Sequence, residues 1–298
     1  MYDLCCFGIV SGVQILMVER YPHNNSGTLV KDAFGGVTPD AAIVSVLAAR
    51  LKLRTCMMTA GIGDDRVGRE VSNLFREIQV DHPPLQSGSS TPWTTVICDS
   101  NGNRTWFSLL SPSQKDSYSR VDLSPTKDAK FVYIDLYDII RQASLTAIEH
   151  AFACQTPTFV NLGGDSLSSD EADRLRCKVA IVQTSFEGSR ADAEILAADL
   201  MMKIQPRLSI VTMGAGGSVC ASSLSSPPVF IPAYRTTTLH SHGAGAAFSA
   251  GIIYSILNNR DLKSALRFAS ALAALFISSK SEFGLYTVEL IDDYVKLH

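Results

Sequence analysis

The residues best placed to do chemistry lie in 238–257, Thr-Leu-His-Ser-His-Gly-Ala-Gly-Ala-Ala-Phe-Ser-Ala-Gly-Ile-Ile-Tyr-Ser-Ile-Leu, where a small-residue turn runs straight into an uncharged apolar segment. Gly243, Ala244 and Gly245 leave little side chain between the backbone and an approaching group. Ala247, Phe248, Ile252, Ile253 and Leu257 follow at helical spacing, so a buried helix begins at the glycines. Unpaired N–H groups and the positive dipole end at such a start favour an anion, phosphate above all. His240 and His242 stand just before the turn, and an imidazole can take a hydroxyl proton near neutrality. The plainer reading is a pair of loop histidines making structural hydrogen bonds, because both lie on the other side of the turn from Ala246. Two acids stand at expected helix starts, Asp40 after Pro39 and Glu187 before a helix from about 191, and each reads on its own as a first-turn acid facing the dipole. The glycine-rich run 213–219 is by itself a common turn composition.

The 238–257 stretch resembles the C-terminal signature of the ribokinase family, also called PfkB carbohydrate kinases, written D-T-x-G-A-G-D before an apolar helix. The resemblance implies that Gly243, Ala244 and Gly245 form an anion hole for a transferred phosphoryl group, and that the residue at 246 is the general base. Here the first Asp is His240, the Thr is Ser241, and the base position holds Ala246. Alanine can neither accept a proton nor coordinate a cation.

Other family motifs fall in the same order along the chain. Gly61-Ile62-Gly63-Asp64-Asp65-Arg66-Val67-Gly68 matches the first signature, which shapes a loop and helix start; Asp64-Asp65 is otherwise ordinary capping. Gly35, Gly36 and Asp40 match the substrate motif G-G-x-x-x-N, with Asp in place of Asn, and Val13 stands where a sugar-binding Asp is expected. Thr184 and Glu187 match N-x-x-E, which organises magnesium-bound water and phosphate, with the Asn replaced by Thr184. Thr212, Gly214 and Gly217 resemble the nucleotide-side turn T-x-G-x-x-G, and Ser270 stands at an adenine-side position on a long helix. Asn101-Gly102-Asn103-Arg104-Thr105 resembles the hairpin that returns to the lid. By resemblance the cofactors are ATP and Mg²⁺, and the partner is a small sugar or nucleoside type ligand.

The bulk numbers agree with a small-molecule protein. A chain of 298 residues, 46% hydrophobic and 18% charged, can bury a full core as one domain. A net charge of -3 with scattered basic residues gives no footprint for nucleic acid or an anionic membrane. No apolar stretch is long enough to span a membrane and the start Met-Tyr-Asp-Leu-Cys-Cys-Phe lacks a basic region, so a cytoplasmic protein is expected. Seven cysteines without C-x-x-C spacing, two of them adjacent in an apolar run, suit buried thiols in a reducing compartment.

Repeated β-α-β patterning predicts a parallel sheet. Strands are expected at 4–10, 13–19, 28–31, 55–60, 91–99, 130–137, 157–162, 178–183 and 209–212, and helices at about 40–52, after the 61–68 run to about 78, 144–152, 170–176 and 261–279. The whole is expected as a ribokinase-like three-layer α/β/α sandwich, one domain over 1–298, with a β-sheet lid inserted from about 12–34 and 91–110. Homodimer formation through the lid is allowed by its mixed polar and apolar strands. The altered positions Val13, Thr184, His240 and Ala246 point to a pseudokinase that binds ATP and a hydroxylated ligand with impaired phosphotransfer; an active kinase with a non-standard base is the alternative.

Overall fold

The computed structural model describes residues 1–100, 103–279, 284 and 286–298. The chain opens with β1 (Leu4–Phe7) and leaves the main sheet for β2 (Ser11–Val18) and β3 (Val30–Thr38), then returns through α1 (Asp40–Arg50) to β4 (Thr55–Met58). After α2 (Arg66–Glu77) and the two-residue β5 (Val80–Asp81), it makes a second excursion through β6 (Trp93–Cys98), β7 (Arg104–Leu109) and the short α3 (Pro112–Ser117). Regular alternation follows: β8 (Val132–Asp135), α4 (Arg141–Ala153), β9 (Thr158–Asn161), α5 (Ser169–Leu175), β10 (Ile181–Ser185), α6 (Arg190–Ile204) and β11 (Leu208–Thr212). The chain then runs through β12 (Ser218–Ala221), β13 (Val229–Ile231), α7 (Ala244–Leu257), α8 (Leu262–Ile277) and α9 (Val288–Leu297).

Two sheets result. The large one has the order β13-β12-β11-β10-β9-β8-β1-β4-β5, parallel from β11 to β5, with β12 and β13 added antiparallel at one edge. The small one, β3-β2-β6-β7, is the lid. The parallel strands are buried on both faces, which is why they read as continuous apolar runs. Alternate residues divide between two layers: Leu4 and Cys6 pack with α1, α7 and α8, whereas Cys5 and Phe7 pack with α4 and α6.

The structure departs from the sequence reading in several places. The strand expected at 28–31 extends through Thr38, so Gly35 and Gly36 lie inside β3 and do not lead a helix as a loop. Thr184 and Ser185, expected in a loop, are the last residues of β10; their polarity hid a strand whose end faces the cleft. The short strands β12 and β13, after the glycine-rich turn, were not expected, and α9 lies beyond the last element expected. Positions 101 and 102 of the expected hairpin lie outside the described residues, but β6 and β7 pair antiparallel on either side of them.

Candidate functional site

The turn at 243–245, expected to hold an anion, is built by one backbone choice. Gly243 is the N-cap of α7 at φ 75°, and a Cβ there would stand 2.8 Å from Phe276 Cε1 and 2.9 Å from Ile43 Cδ1. Both the left-handed backbone and the packing of α1 and α8 therefore require glycine. The N–H groups that follow have no intrahelical acceptor, so the helix start presents donors to the cleft. Gln183 fixes the turn from the sheet side: its Nε2 donates to the Gly245 carbonyl at 3.3 Å, and Ser249 Oγ lies 3.1 Å from its Oε1.

A cleft of about 1270 Å³ opens beside this turn. Ala244 and Gly245 line it together with Glu187, Thr212, Gly214, Gly217 and Ser270, so the positions expected to touch nucleotide and phosphate share one wall system. Arg104 reaches in from the lid and its guanidinium donates to the Ser241 carbonyl, placing a cation above the turn. Arg235 also lines the cleft. Glu187 is exposed on its wall; no cluster of three or more possible metal ligands occurs among the described residues. One carboxylate still fits Mg²⁺, which keeps waters and takes further ligands from phosphate.

Ala246 is fully buried in the core cluster formed by α7 and α8, and it is not among the residues lining the cleft. Gly35 and Gly36 line a different cavity of about 490 Å³, between the lid and α2, with Val13 and Trp93. Asp40 lies in neither. The structure thus gathers the nucleotide-side positions but separates Gly35 and Gly36 from the anion turn.

Sequence reasoning missed a polar network at the C-terminal ends of the parallel strands. Asp40 Oδ2 accepts from the Tyr137 hydroxyl at 2.8 Å and from Asn161 Nδ2 at 2.8 Å. Asp135 Oδ2 accepts the Ala41 N–H at 2.8 Å, capping α1 from the neighbouring strand end. Asn161 lies beside Gln183 in the β9–β10 register, so the network reaches the residue that holds Gly245. A polar residue ending each apolar strand run was the available signal, since parallel sheets bind ligands at those ends. Asp135 is fully buried and pairs with no lysine or arginine among the described ion pairs; burial, then the Asp40 charge, pushes its carboxyl well above the usual range.

That shift sets a pH dependence. A carboxyl whose folded value is raised favours the folded state while protonated, so stability falls as pH rises from the unfolded value of ~3.9 towards the folded one. Asp135→Asn keeps an oxygen for Ala41 N–H and removes the ionisation. Its melting temperature is expected to lose part of the wild-type decline between mildly acidic and neutral pH, as thermal unfolding across that range would read.

The histidines are tied into the scaffold. His242 Nε2 lies 3.0 Å from Thr38 Oγ1, joining the anion turn to the last residue of β3. Burial, then the Arg104 and His240 charges, pushes His242 down to about 3. His240 is 1% exposed between Phe34 and Phe276, with Nδ1 3.1 Å from the His242 carbonyl and Nε2 3.2 Å from that of Ser279; burial lowers its pKa as well. An imidazole that resists protonation is a weak general base, because efficient bases titrate near the working pH.

A family model described as pfkB family carbohydrate kinase matches residues 1–282. A nucleoside kinase of Methanothermobacter thermautotrophicus is 24% identical, covering 93% of this chain and 90% of that protein. A 5-dehydro-2-deoxygluconokinase of Shouchella clausii is 25% identical over 80% of each. Among solved structures, Burkholderia thailandensis nucleoside kinase in complex with inosine superposes with a TM-score of 0.79 at 17% identity, over 99% of this chain and 96% of that one. Arabidopsis thaliana ribokinase complexed with ribose and ATP gives 0.75 at 16% identity over 99% of both. At such identities the structural likeness carries the ribokinase-like fold, and the family model carries membership.

Proposed function

The chain belongs to the pfkB family of carbohydrate kinases, and on that premise we propose that it binds ATP and a sugar or nucleoside type alcohol in the cleft with impaired phosphotransfer. The observation that carries this is the pairing of a glycine-capped helix start at Gly243, Ala244 and Gly245 with a fully buried alanine at 246. A positioned general base contributes roughly 10²–10⁴-fold, whereas phosphoryl transfer also draws on charge and positioning, so its loss slows the step without removing the binding site.

In this reading the chain's own residues do the following. The first-turn N–H groups of α7 hold the phosphoryl oxygens, Arg104 adds positive charge from the lid, and Thr212, Gly214, Gly217 and Ser270 border the nucleotide. Mg²⁺, held through water by Glu187, would neutralise phosphate charge. Gly35, Gly36 and Asp40 are assigned to the acceptor side.

Titration calorimetry with a non-hydrolysable ATP analogue and Mg²⁺ is expected to show one site, lost or weakened in Gly245→Val. No binding by the folded wild-type protein would sink the reading. The second reading, an active kinase with another base, draws on Asp40, whose carboxylate is oriented by Tyr137 and Asn161 one strand from Gln183. The assembly we propose is a dimer through the lid, where Trp106, Phe107 and Leu109 of β7 are exposed. No helix among the described residues is long and apolar enough to cross a membrane.

A further inference from the structure

We propose that Cys5 and Cys56 form a redox-active dithiol that closes to a disulfide on meeting a small-molecule disulfide, cross-linking the strand that leads into the lid to its neighbour. The two residues are register partners on the parallel strands β1 and β4. Neighbouring strands lie about 4.8 Å apart, inside the ~4.4–6.8 Å range of Cα separations that a disulfide spans. Both side chains belong to one buried cluster, so they project to the same face of the sheet. The Cys5 S–H donates to the Pro125 carbonyl at 3.7 Å.

The surroundings divide the roles. The Cys5 thiol stabilises a thiolate at Cys56 and holds Cys56 below the usual thiol range, while the same contact and burial push Cys5 up. Cys56 also lies nearer the outside. It is 7% exposed against 0% for Cys5, it pairs with Asp81 of the two-residue edge strand β5, and the Tyr2 hydroxyl beside it donates to Asp81 Oδ2 at 2.8 Å. A two-residue edge strand opens more readily than the sheet centre. Cys6 projects to the opposite face, and its thiol is pushed well up by burial and then by the Asp135 charge, so it does not compete.

The exchange balances with an oxidant of the glutathione disulfide type. Cys56 thiolate attacks one sulfur, the oxidant's S–S bond breaks, and the released thiolate takes a proton; Cys56 is left as a mixed disulfide. Cys5, losing its proton to the departing thiol, then attacks Cys56 Sγ and expels the second thiol. Two protein thiols are oxidised and one small disulfide is reduced to two thiols.

The folded full-length protein is incubated with oxidised glutathione, free thiols are blocked, and a non-reducing digest is read by mass spectrometry. A peptide pair joined through Cys5 and Cys56, lighter by two hydrogens than its reduced parts, is expected, with fragmentation excluding Cys6. Cys5→Ser is expected to accumulate a glutathione adduct on Cys56, and Cys56→Ser to leave Cys5 unmodified. If a serine variant does not fold, the wild-type digest decides alone. Adducts only on the exposed Cys177, or a link that forms only after unfolding in urea, would overturn the proposal.

Discussion

Ala246→Asp is expected to raise phosphotransfer from ATP to a sugar or nucleoside by about 10²-fold, the low end of what a positioned general base supplies. The low end is chosen because Ala246 is fully buried against α7 and α8 neighbours. A carboxyl placed there loses hydration, favours its neutral form and is a less willing proton acceptor. Ala246→Asn separates chemistry from packing, since it brings the same volume and strain without a base. Single-turnover ADP release over an acceptor panel, with melting temperatures recorded for all three proteins, reads the effect. A wild-type rate equal to that of Ala246→Asp would mean that another group already takes the proton. Asp40→Asn would then be the next variant to measure, because Asp40 is the carboxylate that the strand-end network orients. The histidines are poorer candidates, His242 being held neutral down to about 3.

Gly251→Val is expected to be the most destabilising single change along α7. A Cβ at Gly251 would stand 2.6 Å from the Ala269 Cα and 3.2 Å from its nitrogen, so α7 and α8 meet there backbone to backbone. Flexible side-chain tips can turn aside, but a helix backbone moves only as a body. Overpacking costs about 1–3 kcal/mol and occasionally more. At the upper end, and at roughly 2–4 °C per kcal/mol for domains somewhat smaller than this one, the melting temperature falls by about 10 °C. Because α7 begins at the anion turn, the shift also reaches the cleft. ATP-analogue affinity is expected to fall in Gly251→Val even well below its melting temperature. A variant with wild-type stability would show that the helix pair slides apart easily.

Much of the fold was readable because parallel strands buried on both faces produce short unbroken apolar runs, as at 4–7 and 132–134. The helix at 244–257 was readable from its small-residue start, whose glycines serve conformational ends that spacing alone reveals. Polar strand ends were not readable in the same way. Thr184 and Ser185 look like a loop in isolation and become strand only through pairing with β11, Thr184 with Val211 and Ser185 with Thr212. Gly35 and Gly36 likewise look like a turn but are held straight by Val13 and Gln14 of β2. The network of Asp40, Asp135, Tyr137 and Asn161 depends on partners about a hundred positions apart. No local pattern encodes such a meeting; it follows from which strand lies next to which.

The direct passage of β3 into α1, with only Pro39 between Thr38 and Asp40, gives the flap and the acid a common fulcrum. Thr38 is clamped to His242 and Ala41 to Asp135, one on each side of Asp40. A tilt of the small sheet about this joint would move the carboxylate as well. If Asp40 reads the acceptor as proposed, a molecule too bulky for the small sheet to settle over would also meet a misaimed carboxylate.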